Sequence, residues 1–241
     1  MEGMLMKIIA EGHRGWRARY PENTLCSFAA AIDAGVDAVE FDIWLTKDGV
    51  PVLMHDGNAR RTCGVDRHLR EMTLQEVKQL DAGLFMGEQF RGTRVPTFEE
   101  LLALVREKRP SLLLGVELKE YTEETADKTV ALLKQYGFFA QCWFYCFNGR
   151  IIRYLKERYG GRTMGYPDFQ MKEFDGYDAY DEIGISMNIA HSEILPVYQQ
   201  KGLPMHFYCA DTPEEVQFAV DHGASLITAN ELAPLLEILK K

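Results

Sequence analysis

Glu40 and Asp42, two residues apart in Glu40-Phe41-Asp42, are the first place where this chain could do chemistry. On a strand both carboxylates point to one face, while Phe41 and Ile43 point to the other. Unpaired and so close, they repel, and one holds its proton unless a cation or strong donors lie between them. A divalent metal answers that demand. Glu117-Leu118-Lys119 repeats the spacing with opposite charges and offers a third carboxylate beside a cation. Three carboxylates, completed by water and substrate, form a hard oxygen set suited to Mg2+ or Ca2+, whereas zinc would prefer the histidines. Either pair alone could be a solvated strand end or a structural ion pair. Two pairs, both at strand C-termini, favour a site.

His13-Arg14-Gly15 adds an imidazole, a guanidinium fork suited to phosphate, and a glycine that permits a tight turn close to a ligand. His55 supplies a second imidazole. Two histidines flanking a metal can divide general base and general acid work, each contributing about 10²- to 10⁴-fold in rate. The expectation is a metal-dependent phosphodiester hydrolase. His68, His191, His206 and His222 have no such neighbours in sequence and read as surface or strand-edge residues.

The elements that must position these groups alternate along the chain. Apolar strand-like runs cover Lys7–Gly12, Ala38–Ile43, Leu112–Leu118, Cys142–Phe147, Thr163–Tyr166, Ile183–Met187, Met205–Ala210 and Ser225–Ala229, each followed by a candidate helix. Thr73 with Glu76, Thr97 with Glu100 and Thr212 with Glu215 fit capping boxes, and Pro213 suits a first helical turn. Gly35, Gly202 and Gly223 stand where helices should stop. Eight β/α units in a chain of 241 residues match a closed (β/α)8 TIM barrel, with a doubly wound open sheet as the alternative. One apolar run, Val50–Met54, is left over. It follows Thr46-Lys47-Asp48-Gly49, where Asp-Gly predicts a hairpin turn, so it should fold back as an arm that brings His55 beside Glu40 and Asp42.

With 46% hydrophobic residues and no linker-like stretch, residues 1–241 read as a single catalytic domain. The net charge of −9, with lysine and arginine scattered, argues against nucleic acid and for a small-molecule partner, leaving a homo-oligomer open. Met1–Lys7 has no long apolar run and excludes an ordinary signal peptide, and no window is apolar enough to span a bilayer, so a soluble, cytoplasmic protein is expected. The five cysteines, Cys26, Cys63, Cys142, Cys146 and Cys209, suit reduced thiols; Cys142 and Cys146 lack the second pair that a metal site would need. Phe85, Met86 and Phe90 read either as a loop packed over the barrel or as one wall of the substrate cleft.

The ordered set His13-Arg14-Gly15, Pro21-Glu22-Asn23-Thr24, Glu40-Phe41-Asp42, Thr46-Lys47-Asp48-Gly49, His55-Asp56 and Glu117-Leu118-Lys119 resembles the glycerophosphodiester phosphodiesterases over nearly the whole chain. The resemblance implies a TIM barrel whose characteristic insertion is the region 57–96. It implies Glu40, Asp42 and Glu117 as metal ligands, His13 and His55 as the acid/base pair, and Arg14 and Lys119 as phosphate contacts. It implies cleavage of glycerophosphodiesters to glycerol 3-phosphate and an alcohol. Two stretches depart from the family pattern. Tyr208-Cys209-Ala210-Asp211 replaces Trp-Thr-Val-Asn, keeping a pocket aromatic in Tyr208, and Thr228-Ala229-Asn230-Glu231 replaces Thr-Asp-x-Pro. The rival readings are a lysophospholipase D-type or cyclising phosphodiesterase on the same barrel, a non-catalytic phosphoester-binding protein, and an aldolase or isomerase using Lys119 as a Schiff-base amine.

Overall fold

The computed structural model describes residues 7–240; the Met1–Met6 part of the stretch read against a signal peptide lies outside the described residues, as does Lys241. Among the described residues there are nine strands: β1 (Ile9–His13), β2 (Ala38–Leu45), β3 (Pro51–Leu53), β4 (Leu113–Leu118), β5 (Cys142–Tyr145), β6 (Arg162–Gly165), β7 (Glu182–Ser186), β8 (Met205–Tyr208) and β9 (Ala224–Ala229). All but β3 are parallel to their neighbours, and β1 pairs with both β2 and β9, which closes an eight-stranded barrel. These eight are the eight apolar runs of the sequence. Among the described residues no helix is long and apolar enough to cross a membrane.

Strand alternation divides the side chains into two populations. Val39, Phe41 and Ile43 join Phe28, Phe98, Leu101 and Leu102 in the large core cluster between sheet and helices. Trp143, Tyr145, Met164 and Tyr166 form a separate cluster with Ile9, Leu113 and Tyr208 that fills the barrel interior. That interior also holds charge. Glu11 is fully buried and accepts hydrogen bonds from Tyr145 and Thr228, and a side chain on Gly115 would strike its carboxylate. Burial pushes the Glu11 carboxyl up to about 6. His206, read from sequence as a surface or edge residue, is 2% exposed and bonds Glu182 within the barrel. The sequence pattern misleads there because an inward position on a barrel strand looks the same, residue by residue, as an outward one on an open edge.

The helices begin and end where their caps dictate. Thr73, Thr97 and Thr212 each complete a reciprocal capping box with the glutamate three residues on, and Gly35 ends the helix Leu25–Ala34 in the left-handed conformation. One expectation fails: β6 is followed by no α-helix, only the short 3-10 turn Asp168–Gln170. Pro167 and Gly176 interrupt that crossover, and its rings, Phe174, Tyr177 and Tyr180, cover the barrel in place of a helical stripe.

The hairpin arm forms as the Asp48-Gly49 signal requires. β3 runs antiparallel to the distal half of β2, with Ile43 opposite Leu53 and Leu45 opposite Pro51. Thr46 Oγ1 donates to Asp48 and accepts from the Val50 N–H, and Gly49 takes φ +73°. Beyond the arm, residues 57–96 fold as short helical turns whose Leu69, Val77 and Val95 share an apolar cluster with Val52 and Met54 of the arm. Because only glycine takes that φ without penalty, Gly49→Ala is expected to lower the unfolding free energy in urea by about 1–2 kcal/mol. An unchanged urea midpoint would refute the turn's role in holding the arm.

Candidate active site

Barrel register brings the expected residues together at the C-terminal ends of the strands. His13 on β1 lies opposite Glu40 on β2, and Asp42 on β2 lies opposite Glu117 on β4. The Met54 N–H donates to the Asp42 carbonyl, so β3 delivers His55 to the same rim, where its carbonyl accepts from Trp44 Nε1. Lys119 follows β4, and Tyr208 ends β8. His13, Arg14, Glu40, His55, Glu117, Lys119 and Tyr208 all line one cavity of ≈ 160 Å3, with Phe147 and Tyr166 stacked in its wall at 3.6 Å.

The three carboxylates crowd tightly. One oxygen from each of Glu40, Asp42 and Glu117 lies within 4.8 Å of the others, and all three residues are buried. Burial and then the Asp42 and Glu117 charges push the Glu40 carboxyl well above the usual carboxylate range. Burial acts in the same sense on Asp42, but Arg14 and Lys119 outweigh it and hold that carboxyl well below its ordinary value. The contacts are direct: Arg14 Nε is 3.2 Å and Lys119 Nζ 3.5 Å from Asp42, and Lys119 donates to Glu117 at 2.7 Å. Even so, Glu40 Oε1 and Asp42 Oδ1 are buried without a hydrogen-bond partner. Two orphaned carboxylate oxygens facing a third carboxylate fit an oxygen-seeking divalent cation.

Positive-φ backbone shapes the rim. Arg14 (φ +54°) and Gly15 (φ +86°) turn the chain so that the Arg14 N–H donates to Glu40 Oε2 at 3.0 Å. A side chain at Gly15 would meet Ser27 Oγ at 2.4 Å, so glycine is required there on two counts. His13 Nε2 is 3.7 Å from Glu40 Oε2, while Nδ1 bonds Asn230 Oδ1 at 2.7 Å. Burial, then the adjacent Arg14 charge, pulls the His13 imidazole down to about 3, so the ring is neutral. His55 Nδ1 is 2.7 Å from Asp56 Oδ1.

A sequence model of the glycerophosphoryl diester phosphodiesterase family matches residues 13–232. The chain belongs to this family. A glycerophosphodiester phosphodiesterase of Caldanaerobacter subterraneus subsp. tengcongensis is 28% identical, covering 98% of this chain and 99% of its own. In fold, the chain is similar to a phosphodiesterase of Oleispira antarctica solved with the product sn-glycerol-3-phosphate, with TM-score 0.83 and 23% identity over 96% of each chain. It is likewise similar to the glycerophosphodiester phosphodiesterase of Agrobacterium tumefaciens, with TM-score 0.81 and 22% identity over 95% of this chain and 99% of that one.

Around the family's motif residues lies a supporting layer whose members carried no assigned role in the sequence. Asn23, at φ +56°, donates to Asp42 Oδ2 at 2.8 Å and accepts from the Asp42 N–H. Glu22 receives Arg14 at 2.9 Å, Arg61 at 2.7 Å and Arg17 at 3.4 Å. Arg61 also donates to Asp56 at 2.6 Å, which ties the partner of His55 to the partner of Arg14. The Pro21-Glu22-Asn23-Thr24 and His55-Asp56 motifs were the traces of this layer in the sequence; Arg61 left none. Phe85 and Phe90 do not line the cavity: Phe85 is exposed on the surface, and Phe90 packs against Tyr20. The segment closes on itself through Asp81 and Thr93, and neither ring forms a wall of the cavity, which counts against the cleft-wall reading. All five cysteines are free, with Cys142 and Cys146 buried.

The arginines set the acid limit of the site. Burial alone would raise Glu22, but hydrogen bonds from Arg61 and the charges of Arg14 and Arg61 lower its carboxyl from 4.5 to about 2. A depressed folded value means that this contribution to stability is present above the unfolded value and is lost as pH falls from about 4.5 towards about 2. The two values correspond to roughly 3 kcal/mol at neutral pH. Urea unfolding of wild type and Glu22→Gln should therefore differ most at pH values above that window and converge below it. A gap that stays constant with pH would mean that Glu22 acts through packing instead.

Proposed function

We propose that the chain hydrolyses glycerophosphodiesters to glycerol 3-phosphate and an alcohol, with a divalent cation, Mg2+ or Ca2+, held by Glu40, Asp42 and Glu117. The observation that carries the reading is the pair of orphaned, buried carboxylate oxygens on Glu40 and Asp42, flanked by His13, His55, Arg14 and Lys119 around one cavity. When bound, the cation supplies Lewis-acid neutralisation of phosphoryl charge. Arg14 and Lys119 add fixed positive charge at the same rim and spread the charge that builds on the phosphoryl oxygens. Tyr208 supplies an aromatic wall for the organic part of the substrate. We read residues 1–241 as one catalytic domain with 57–96 as its inserted segment.

The partners of the two histidines divide their work. Asn230 gives His13 a neutral acceptor, which leaves the ring uncharged and suited to take the proton of the attacking water or substrate hydroxyl. Asp56 gives His55 a carboxylate, held ionised by Arg61, which balances a protonated ring and suits it to donate to the leaving alkoxide. A new P–O bond forms as the P–O bond to the alcohol breaks; His13 takes the proton of the nucleophile and His55 gives one to the leaving alkoxide.

His13→Ala and His55→Ala are each expected to lower kcat on glycerophosphocholine or glycerophosphoethanolamine by about 10² or more. EDTA should abolish turnover, and added Mg2+ or Ca2+ should restore it. Full activity in EDTA would sink the proposal. Phosphorus NMR taken early in the reaction separates direct hydrolysis, which yields glycerol 3-phosphate, from cyclisation, which yields a cyclic phosphate.

A further inference from the structure

The two stretches that depart from the family pattern meet in space, and they meet on His13. Asp211 Oδ2 accepts from Asn230 Nδ2 at 2.7 Å, while Asp211 Oδ1 accepts the backbone N–H groups of Asn230 at 2.6 Å and Glu231 at 3.0 Å. A carboxylate with three donors aimed at it is an acceptor only, so the amide nitrogen of Asn230 must face Asp211. Its oxygen then faces His13, and Arg17 Nη1, 3.4 Å from that oxygen, is a second donor to it. An amide oxygen cannot donate, so the proton in the 2.7 Å contact belongs to His13 Nδ1. Cys209 Sγ, 3.3 Å from the same nitrogen, is left as a weak second acceptor. The other ring nitrogen, Nε2, keeps its lone pair and is 3.7 Å from Glu40 Oε2, at the cavity.

We propose that Asp211 and Asn230 are positioning residues, a relay from the loop after β8 through the end of β9 that locks His13 in the Nδ1–H tautomer with Nε2 free toward the substrate. The relay's bearing on catalysis rests on the reading of His13 as a proton-transfer group; the tautomer itself does not. The device resembles in logic the aspartate of a serine-protease triad, which fixes a histidine tautomer, but its end group is a neutral amide whose orientation is set by a carboxylate one bond further out. The chemistry is reciprocal: with the two side chains exchanged, a carboxylate would accept from His13 Nδ1 and an amide behind it would donate to that carboxylate, so the order of acceptor and donor is kept.

That symmetry supplies the test. Nitrogen NMR of the histidine-labelled protein at mildly alkaline pH reads the tautomer of each ring, with His13 assigned by its disappearance in His13→Gln. Wild type should show Nδ1–H. Asp211→Asn frees the amide to turn and should shift His13 towards a mixture, whereas Asn230→Asp leaves an acceptor facing the ring and should keep Nδ1–H. The double variant D211N/N230D should restore Nδ1–H. In parallel, Asp211→Asn should lose at least about tenfold in kcat with KM little changed, the double variant should recover most of it, and on the order of 10⁴ bounds the loss from a wrong tautomer. An Nε2–H signal in wild type, or an unaltered tautomer in Asp211→Asn, overturns the proposal, since a merely structural pair would alter melting without altering the ring. If Asp211→Asn unfolds, the double variant decides: Nδ1–H retained supports the relay, and Nδ1–H lost refutes it. A wild-type protein with the expected tautomer pattern and no diesterase turnover would leave the relay standing and remove the proposed function.

Discussion

Repulsion among Glu40, Asp42 and Glu117 governs the upper half of this barrel. Two like charges about 4 Å apart cost about 4 kcal/mol at an effective dielectric of 20, several times the net worth of an ordinary hydrogen bond. Hydrogen bonds alone therefore cannot hold three such groups in a buried volume, and positive charge must be brought to them. Arg14 and Lys119 do this within the protein, and the Asp42 and Glu117 contacts of Lys119 show how far a side-chain cation can go. Neither reaches Glu40 Oε1 or Asp42 Oδ1 with a hydrogen bond, which is why the cluster remains short of positive charge at its centre.

Charge compensation then propagates outward. Arg14 can face Asp42 only if its other end is held, and Glu22 holds it; Glu22 is in turn shared with Arg17 and Arg61. Arg61 lies on the short helix Arg60–Cys63, so the segment beyond the hairpin arm is tied electrostatically to the barrel rim. The segment packs its apolar side chains against Val52, Met54 and Trp44 of the hairpin, and Arg61, bonded to both Glu22 and Asp56, adds a charged tie at the rim where the hairpin arm and β1 present their histidines to the same cavity.

The barrel and its hairpin arm were legible in the sequence because each rests on local rules, and the same spacing and turn marked Glu40, Asp42, Glu117, Lys119 and His55 as neighbours, whereas Tyr208 was marked only by the family resemblance. Two-residue spacing on a strand, an Asp-Gly turn and threonine caps act over a few residues and survive any tertiary context. What was not legible depends on closure. Glu11 and His206 sit in runs that look apolar or exposed, and only a closed barrel turns those positions inward. Arg61 and Asp211 act across sequence separations of 39 and 19 residues, to Glu22 and Asn230, so no local pattern marks them. The helix expected after β6 fails for a local reason that the sequence did carry, in Pro167 and Gly176, and the regular alternation of the other units overrode it.

The unequal partners of the two histidines follow from where each ring lies. His13 is on a barrel strand, 14% exposed at its side chain, within reach of Glu40 and Asp42, and Asp211 lies behind its partner Asn230. A carboxylate as its Nδ1 partner would add another negative charge to a volume that already holds more than its cations neutralise, so a neutral amide is the acceptor that the electrostatics favour. His55 stands on the arm, 31% exposed, with Arg61 on the far side of its partner. There solvent and a guanidinium stabilise a full carboxylate, and Asp56 takes that place. The difference between a buried and a half-exposed imidazole thus sets the chemistry of the groups behind them, and an acidic cluster that needs neutral surroundings on one side tolerates charge on the other.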